Sequence, residues 1–156
     1  MGEKLQFSVQ TIYSSPLQRA QQTATAIGPN PIIVDDLAEL DQGHLEGLTA
    51  QDAMDRFPDF FPQWVADPEN ARVPAGETLG ECRDRALNAL HNIVAAHTNN
   101  DTIIIVSHQL VLASILCTLS QHPLTEWRAF RFKNLGAALL WATPSRLEIQ
   151  ALRWKP

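Results

Sequence analysis

The sequence predicts a doubly wound α/β domain, a mostly parallel sheet flanked by helices. Three observations carry that reading. Two apolar runs, Thr11-Ile12-Tyr13 and Ile103-Ile104-Ile105-Val106, lack the polar alternation of a half-solvated strand and read as buried parallel strands. Each run is followed at once by a polar turn and a helical pattern. Strands and helices then follow one another as βαβ(αα)βαββ, the order that a sheet with right-handed crossovers requires.

The first strand covers 9–14 and its helix 16–27, with Ser14-Ser15-Pro16 between them offering an N-cap and a proline at the first helical position. "PIIVDD" reads as the second strand, followed by the polar turn "ELDQGHLEG". "LTAQDAMDRFP" starts a short helix at Thr49 that Pro58 stops. The prolines between 58 and 74 mark a long loop or lid, under which Phe57, Phe60, Phe61 and Trp64 form either an apolar wall or the packing of a short helix. In "TLGECRDRALNALHNIVAAH", Thr78 and Glu81 have capping-box spacing, and Leu79, Cys82, Ala86, Leu90, Ile93 and His97 share one helical face. "DTIIIVS" is a continuous apolar run of the fully buried type, and "QLVLASILCTLS" follows it as an apolar helix. "GAALLWATP" and "RLEIQALRW" read as two antiparallel strands joined at Pro144-Ser145.

A chain of 156 residues, 45% hydrophobic and 19% charged, suits one globular domain over 1–156 with its own core. Its 12 basic and 17 acidic residues leave a net charge of −5 without any lysine or arginine run, which argues against nucleic acid as a partner. Leu110 to Leu119 is the longest apolar stretch, interrupted by Ser114 and Thr118 and too short to span a bilayer, so no membrane partner is expected. "MGEKLQFSVQ" has neither an apolar secretion core nor a serine or threonine at position 6 for myristoylation. Cys82 and Cys117 fall within predicted helices without metal-like spacing, and a reducing cytoplasm is the expected location.

Three residues stand at predicted strand ends, where ligands bind in such sheets. Arg19 lies in the first turn of the first helix, where free backbone N–H groups already favour an anion. His108 follows the Ile103–Val106 run and opens the next helix, and Glu39 follows the second strand. Together they supply what phosphoryl chemistry needs: cations to neutralise a phosphate and an acid to protonate a leaving oxygen. Each also has a plainer reading, as a solvated arginine, a structural histidine or an ordinary surface carboxylate. His44, His91, His97 and His122 do not repeat the strand-end placement.

"IYSSPLQRAQQTA", "LAELDQGHLEGLT", "PAGETLGECRDRA" and "IIIVSHQ" occur in the order and approximate spacing of the histidine phosphatase superfamily, the phosphoglycerate mutase-like and α-ribazole phosphatase-like enzymes, which this chain resembles through nearly its whole length. The resemblance implies hydrolysis of a small phosphomonoester through a transient phosphohistidine. It makes Arg19 the second phosphate-binding arginine, Glu39 the general acid and His108 the second histidine, with Gln109, where the family usually has glycine, as an added amide near the phosphate. No metal or other cofactor is expected, because arginine and imidazolium groups neutralise the phosphate. The mutases of the family carry longer insertions than the segment between Glu46 and Thr78, which favours hydrolysis over mutase-type phosphotransfer.

The resemblance also implies an absence. The family's first strand ends in Leu-x-Arg-His-Gly, with the nucleophilic histidine and the first phosphate-binding arginine, and no Arg-His-Gly occurs in these 156 residues. The chain is therefore expected to start one βα unit late, to be inactive or severely impaired by itself, and to expose an edge of the Ile103–Val106 strand through which copies could associate. A phosphate-binding relative without catalysis, or an interaction domain, is the alternative.

Overall fold

Three β-branched residues and a tyrosine hold Val9–Ser14 (β1) extended at the centre of the structure, a computed structural model that describes residues 9–98 and 100–154. β1 pairs in parallel with Ile32–Ile33 (β2) on one side and Thr102–Val106 (β3) on the other, in the order β2-β1-β3. Ser14 stands opposite both Ile33 and Val106, so the three strands end level. Gln18–Ile27 (α1) makes the crossover from β1 to β2.

The turn into α1 differs from the expected cap. Ser15 Oγ accepts the Leu17 N–H at 3.2 Å, closing a local turn, and the helix starts at Gln18 with Leu17 as N-cap and Pro16 outside it. The second strand is also shorter than "PIIVDD". Val34 N–H bonds Ser14 O at 2.9 Å, and Asp35–Leu37 then winds into a 3-10 turn that drops Leu37 into the core. Two aspartates at the start of that turn suit the partial positive charge of a helix N-terminus.

Thr49 caps Ala50–Arg56 (α2), its Oγ1 accepting the Asp52 N–H at 3.1 Å. The proline-rich stretch contains a helix, Phe60–Ala66 (α3), with Pro62 tolerated in its first turn. Trp64 is buried and Phe60 packs beside it, ring centroids 5.7 Å apart, so this pair belongs to the packing of a short helix. Leu79–Ala95 (α4) begins with the expected capping box and buries Leu79, Cys82, Ala86, Leu90 and Ile93. His97 lies beyond the helix, with Nε2 3.0 Å from the Tyr13 hydroxyl and Nδ1 3.2 Å from Asp101.

Gln109–Leu119 (α5) packs on α4, and Cys82, Ala86, Val111, Leu116 and Cys117 meet in one core. Ala137–Thr143 (β4) and Arg146–Trp154 (β5) form the expected antiparallel hairpin, with Thr143 opposite Arg146. Leu140, Ala142, Leu147 and Ile149 cover the same core from a separate two-stranded sheet. The parallel sheet therefore has three strands among the described residues, flanked by helices. Burial of β3 departs from expectation: all five of its residues are only half-buried, because β1 is its one strand neighbour among the described residues.

Candidate phosphate site at the strand ends

The level ends of β1 and β3, Ser14 and Val106, are followed by Ser15 on one strand and by Ser107 and then His108 on the other. Ser15 N–H bonds Val106 O at 2.9 Å, and Ser14 and Ser15 are both fully buried. Ser107 Oγ donates to Leu37 O at 2.8 Å, tying the end of β3 to the 3-10 turn after β2. All three strand ends thus converge on one backbone framework.

His108 is buried and occupies the N-cap position of α5. Its Nε2 lies 2.7 Å from Ser15 Oγ. That oxygen also accepts the Leu17 N–H, so the Ser15 hydroxyl links the turn into α1 to the His108 ring. Burial, aided by the charges of Arg19 and Arg85, pushes the imidazole pKa down to about 4. The ring is therefore a neutral group at pH 7, and a neighbouring anion would favour its charged form.

Glu39 is half-buried and reaches across to the same helix start. Its Oε1 accepts the Leu40 N–H at 3.0 Å and its Oε2 the Leu110 N–H of α5 at 3.4 Å. Burial raises its pKa above the ordinary carboxylate value, opposed by the backbone bonds and by the Arg19 charge. A carboxyl held in this way keeps a proton to higher pH than a solvated one, which suits an acid that protonates a leaving oxygen.

Arg19 is exposed in the first turn of α1, and its charge acts on both His108 and Glu39. Among the described residues it has no carboxylate within ion-pair distance, so its guanidinium is available to an incoming anion. The structure therefore brings Arg19, Glu39 and His108 together at one end of the sheet. Gln109 is adjacent but engaged: its amide donates to Phe130 O at 3.3 Å and accepts the Phe132 N–H at 2.9 Å, anchoring the chain before β4. Sequence reading passed over Ser15, whose hydroxyl fixes the His108 ring. The signal was its position opposite the residue preceding a strand-end histidine, which only the β1–β3 register reveals.

A family model decides the assignment: that of the histidine phosphatase superfamily (branch 1) matches residues 2–155. The chain belongs to that superfamily. It is 29% identical over 133 residues to phosphoserine phosphatase 1 of Hydrogenobacter thermophilus, covering 83% of this chain and 63% of the relative. It is 31% identical over 116 residues to a metal-independent phosphoserine phosphatase of Arabidopsis thaliana, covering 70% of this chain and 48% of that one. The chain thus spans about half to two thirds of the length of these relatives. Among solved structures, the α-ribazole phosphatase of Shigella flexneri superposes with a TM-score of 0.80 at 22% identity, over 97% of this chain and 75% of the other, which establishes the shared fold.

Proposed function

We propose that this histidine phosphatase domain serves hydrolysis of a small phosphomonoester, with Arg19 and His108 binding the phosphate and Glu39 acting as proton donor. The observation that carries the reading is the convergence of a neutral buried imidazole, an available guanidinium and a carboxyl of raised pKa at the helix start following β3. As phosphorus bonds to an acceptor imidazole and its bond to the substrate oxygen breaks, the leaving alkoxide takes the Glu39 proton while Arg19 and the His108 imidazolium neutralise the phosphoryl oxygens. The phosphate acceptor in such chemistry, the imidazole of an Arg-His-Gly motif, is not encoded in these 156 residues. A non-catalytic role, binding a phosphorylated ligand through Arg19 and His108, is the second reading.

Titration with inorganic phosphate, followed by NMR shifts of Arg19 and His108, tests this. We expect saturable shifts at both residues, and a loss of about ten- to hundredfold in affinity for Arg19→Ala, as for a charge-assisted hydrogen bond. Release of phosphate from an aryl phosphate should be no faster than for His108→Ala. Absence of any shift would sink the reading, and rapid turnover would show a nucleophile within the chain.

Two further expectations belong with this proposal. The free, buried thiols of Cys82 and Cys117 and the net charge of −5 support a cytoplasmic protein that engages neither nucleic acid nor membrane. No described helix is long and apolar enough to cross a bilayer. The edge of β3 that has no strand partner among the described residues is expected to pair with the same edge of a second copy, since two identical apolar edges meet about a twofold axis without further sequence features.

A further inference from the structure

The five N–H donors of Arg85, on α4, are all engaged. Nη1 donates to Asp36 O at 2.7 Å and Ala38 O at 2.8 Å, and Nη2 to Glu39 O at 3.1 Å. The remaining two go to the Glu77 carboxylate, Nε to Oε2 at 3.1 Å and Nη2 to Oε1. That same Oε1 accepts the Asp41 N–H at 2.9 Å. One guanidinium–carboxylate pair thus grips the chain on both flanks of Glu39, at two carbonyls before it, at its own carbonyl and at one amide after it. A second layer of contacts holds the loop to 74–77: Glu77 N–H bonds Asp41 O at 3.2 Å and His44 N–H bonds Pro74 O at 2.8 Å. A side chain at Gly43 would collide with Pro74 O, and one at Gly76 with Asp41 O, so these two backbones touch.

We propose that Arg85, locked by Glu77, is the positioning residue of the Glu39 loop and sets the carboxyl over the N-terminus of α5. The argument turns on donor accounting. A guanidinium that binds substrate keeps donors free, whereas every donor of Arg85 is committed within the protein, to loop backbone and Glu77, with Nη2 also 3.4 Å from Cys82 Sγ. The target is also unusual, since three carbonyls within four residues face one side chain and would be left without these bonds if Arg85 were removed. Lysine, with three donors on a single atom, cannot span these acceptors. The inference rests on Glu39 being the proton donor proposed above.

The test exploits opposite signs. The ionisable groups around Glu39 are Arg19, Arg85, Glu77, Asp41, Cys82 and His108. If Arg85 acted on Glu39 only as a nearby cation, Arg85→Met would raise the Glu39 titration midpoint further. If Arg85 positions the loop, release lets water reach the carboxyl, and the midpoint falls toward the free value of 4.5. Carbon-detected NMR titration of Glu39 in the full chain reads this directly, with amide shifts of β1 and β3 reporting that the sheet persists. We expect Arg85→Met and Arg85→Lys both to lower the midpoint, while affinity for inorganic phosphate at Arg19 and His108 stays within a factor of about three. A midpoint that rises or stays put overturns the proposal, as does a phosphate affinity that falls about tenfold or more, which would place Arg85 in the phosphate pocket. Should Arg85→Met unfold, Glu77→Gln leaves Arg85 without its carboxylate lock and should both shift the Asp41 amide and lower the Glu39 midpoint; no movement of either overturns the proposal. Failure of wild-type phosphate binding would remove the phosphatase reading and leave the Glu39 titration to judge the clamp separately.

Discussion

β1 and β3 lie side by side and have similar apolar sequences, yet they differ in burial. β1 has a strand on each side and buries Ile12, Tyr13 and Ser14, whereas β3, with five consecutive β-branched residues, is half-exposed throughout. Hydropathy alone ranks them the other way. A strand is buried by its neighbours, and β3 lacks one on its outer edge among the described residues. The chemistry straddles the pair, since the Ser15–His108 bond joins the end of the well-covered strand to the end of the open one.

The largest expected effect sharpens that contrast. Ile12→Ala should destabilise the domain by about 2–4 kcal/mol in urea unfolding, and Ile104→Ala by about half that or less, because a half-exposed side chain leaves a smaller cavity. Equal losses would mean that the outer face of β3 is covered in solution.

The next effect concerns the bridge between the strands. The His108 pKa is lower folded, about 4, than its ordinary value of 6.5, so the unfolded chain binds more protons between these values. Stability should therefore fall as pH drops from 6.5 toward 4, by up to about 3 kcal/mol, and be unaffected by this group above that window. Glu39, whose pKa is raised, contributes with the opposite sign above 4.5 and offsets part of the loss. His108→Asn should flatten the acid limb of a stability–pH profile, and an unchanged profile would remove the buried neutral imidazole from the account.

The smallest effect is on association. If the open edge of β3 self-pairs, light scattering should show concentration-dependent dimers, and Ile104→Lys should weaken them by about tenfold or more by placing a charge on the edge. A strict monomer with slow amide exchange across Ile103–Val106 would mean that the edge is closed within one chain.

Much of the architecture was legible in short-range pattern. The Thr78–Glu81 capping box and the apolar spacing from Leu79 to Ile93 specify α4 locally, and Pro144-Ser145 marks the hairpin turn. Arg19, Glu39 and His108 could be singled out because each follows a strand signal, and a strand end in such a sheet has a definite place relative to the ligand face. The shortening of β2 to Ile32–Ile33 and the start of α1 at Gln18 could not be read in this way, since both depend on which backbone groups the neighbouring strand leaves free.

By itself, then, the sequence determined most of the element order, though not α3, and the three strand-end side chains, because these depend on periodicity and on residue types a few positions apart; the resemblance of its motifs pointed to the family. Only the tertiary structure decided that Ser15 holds the His108 ring, that Gln109 is anchored to 130–132, that Arg85 is spent on the Glu39 loop, and that β3 stands half-exposed. Each of these joins residues 15 to 93 positions apart or depends on which strands lie alongside. Such pairings are set by register and packing, which no local pattern encodes.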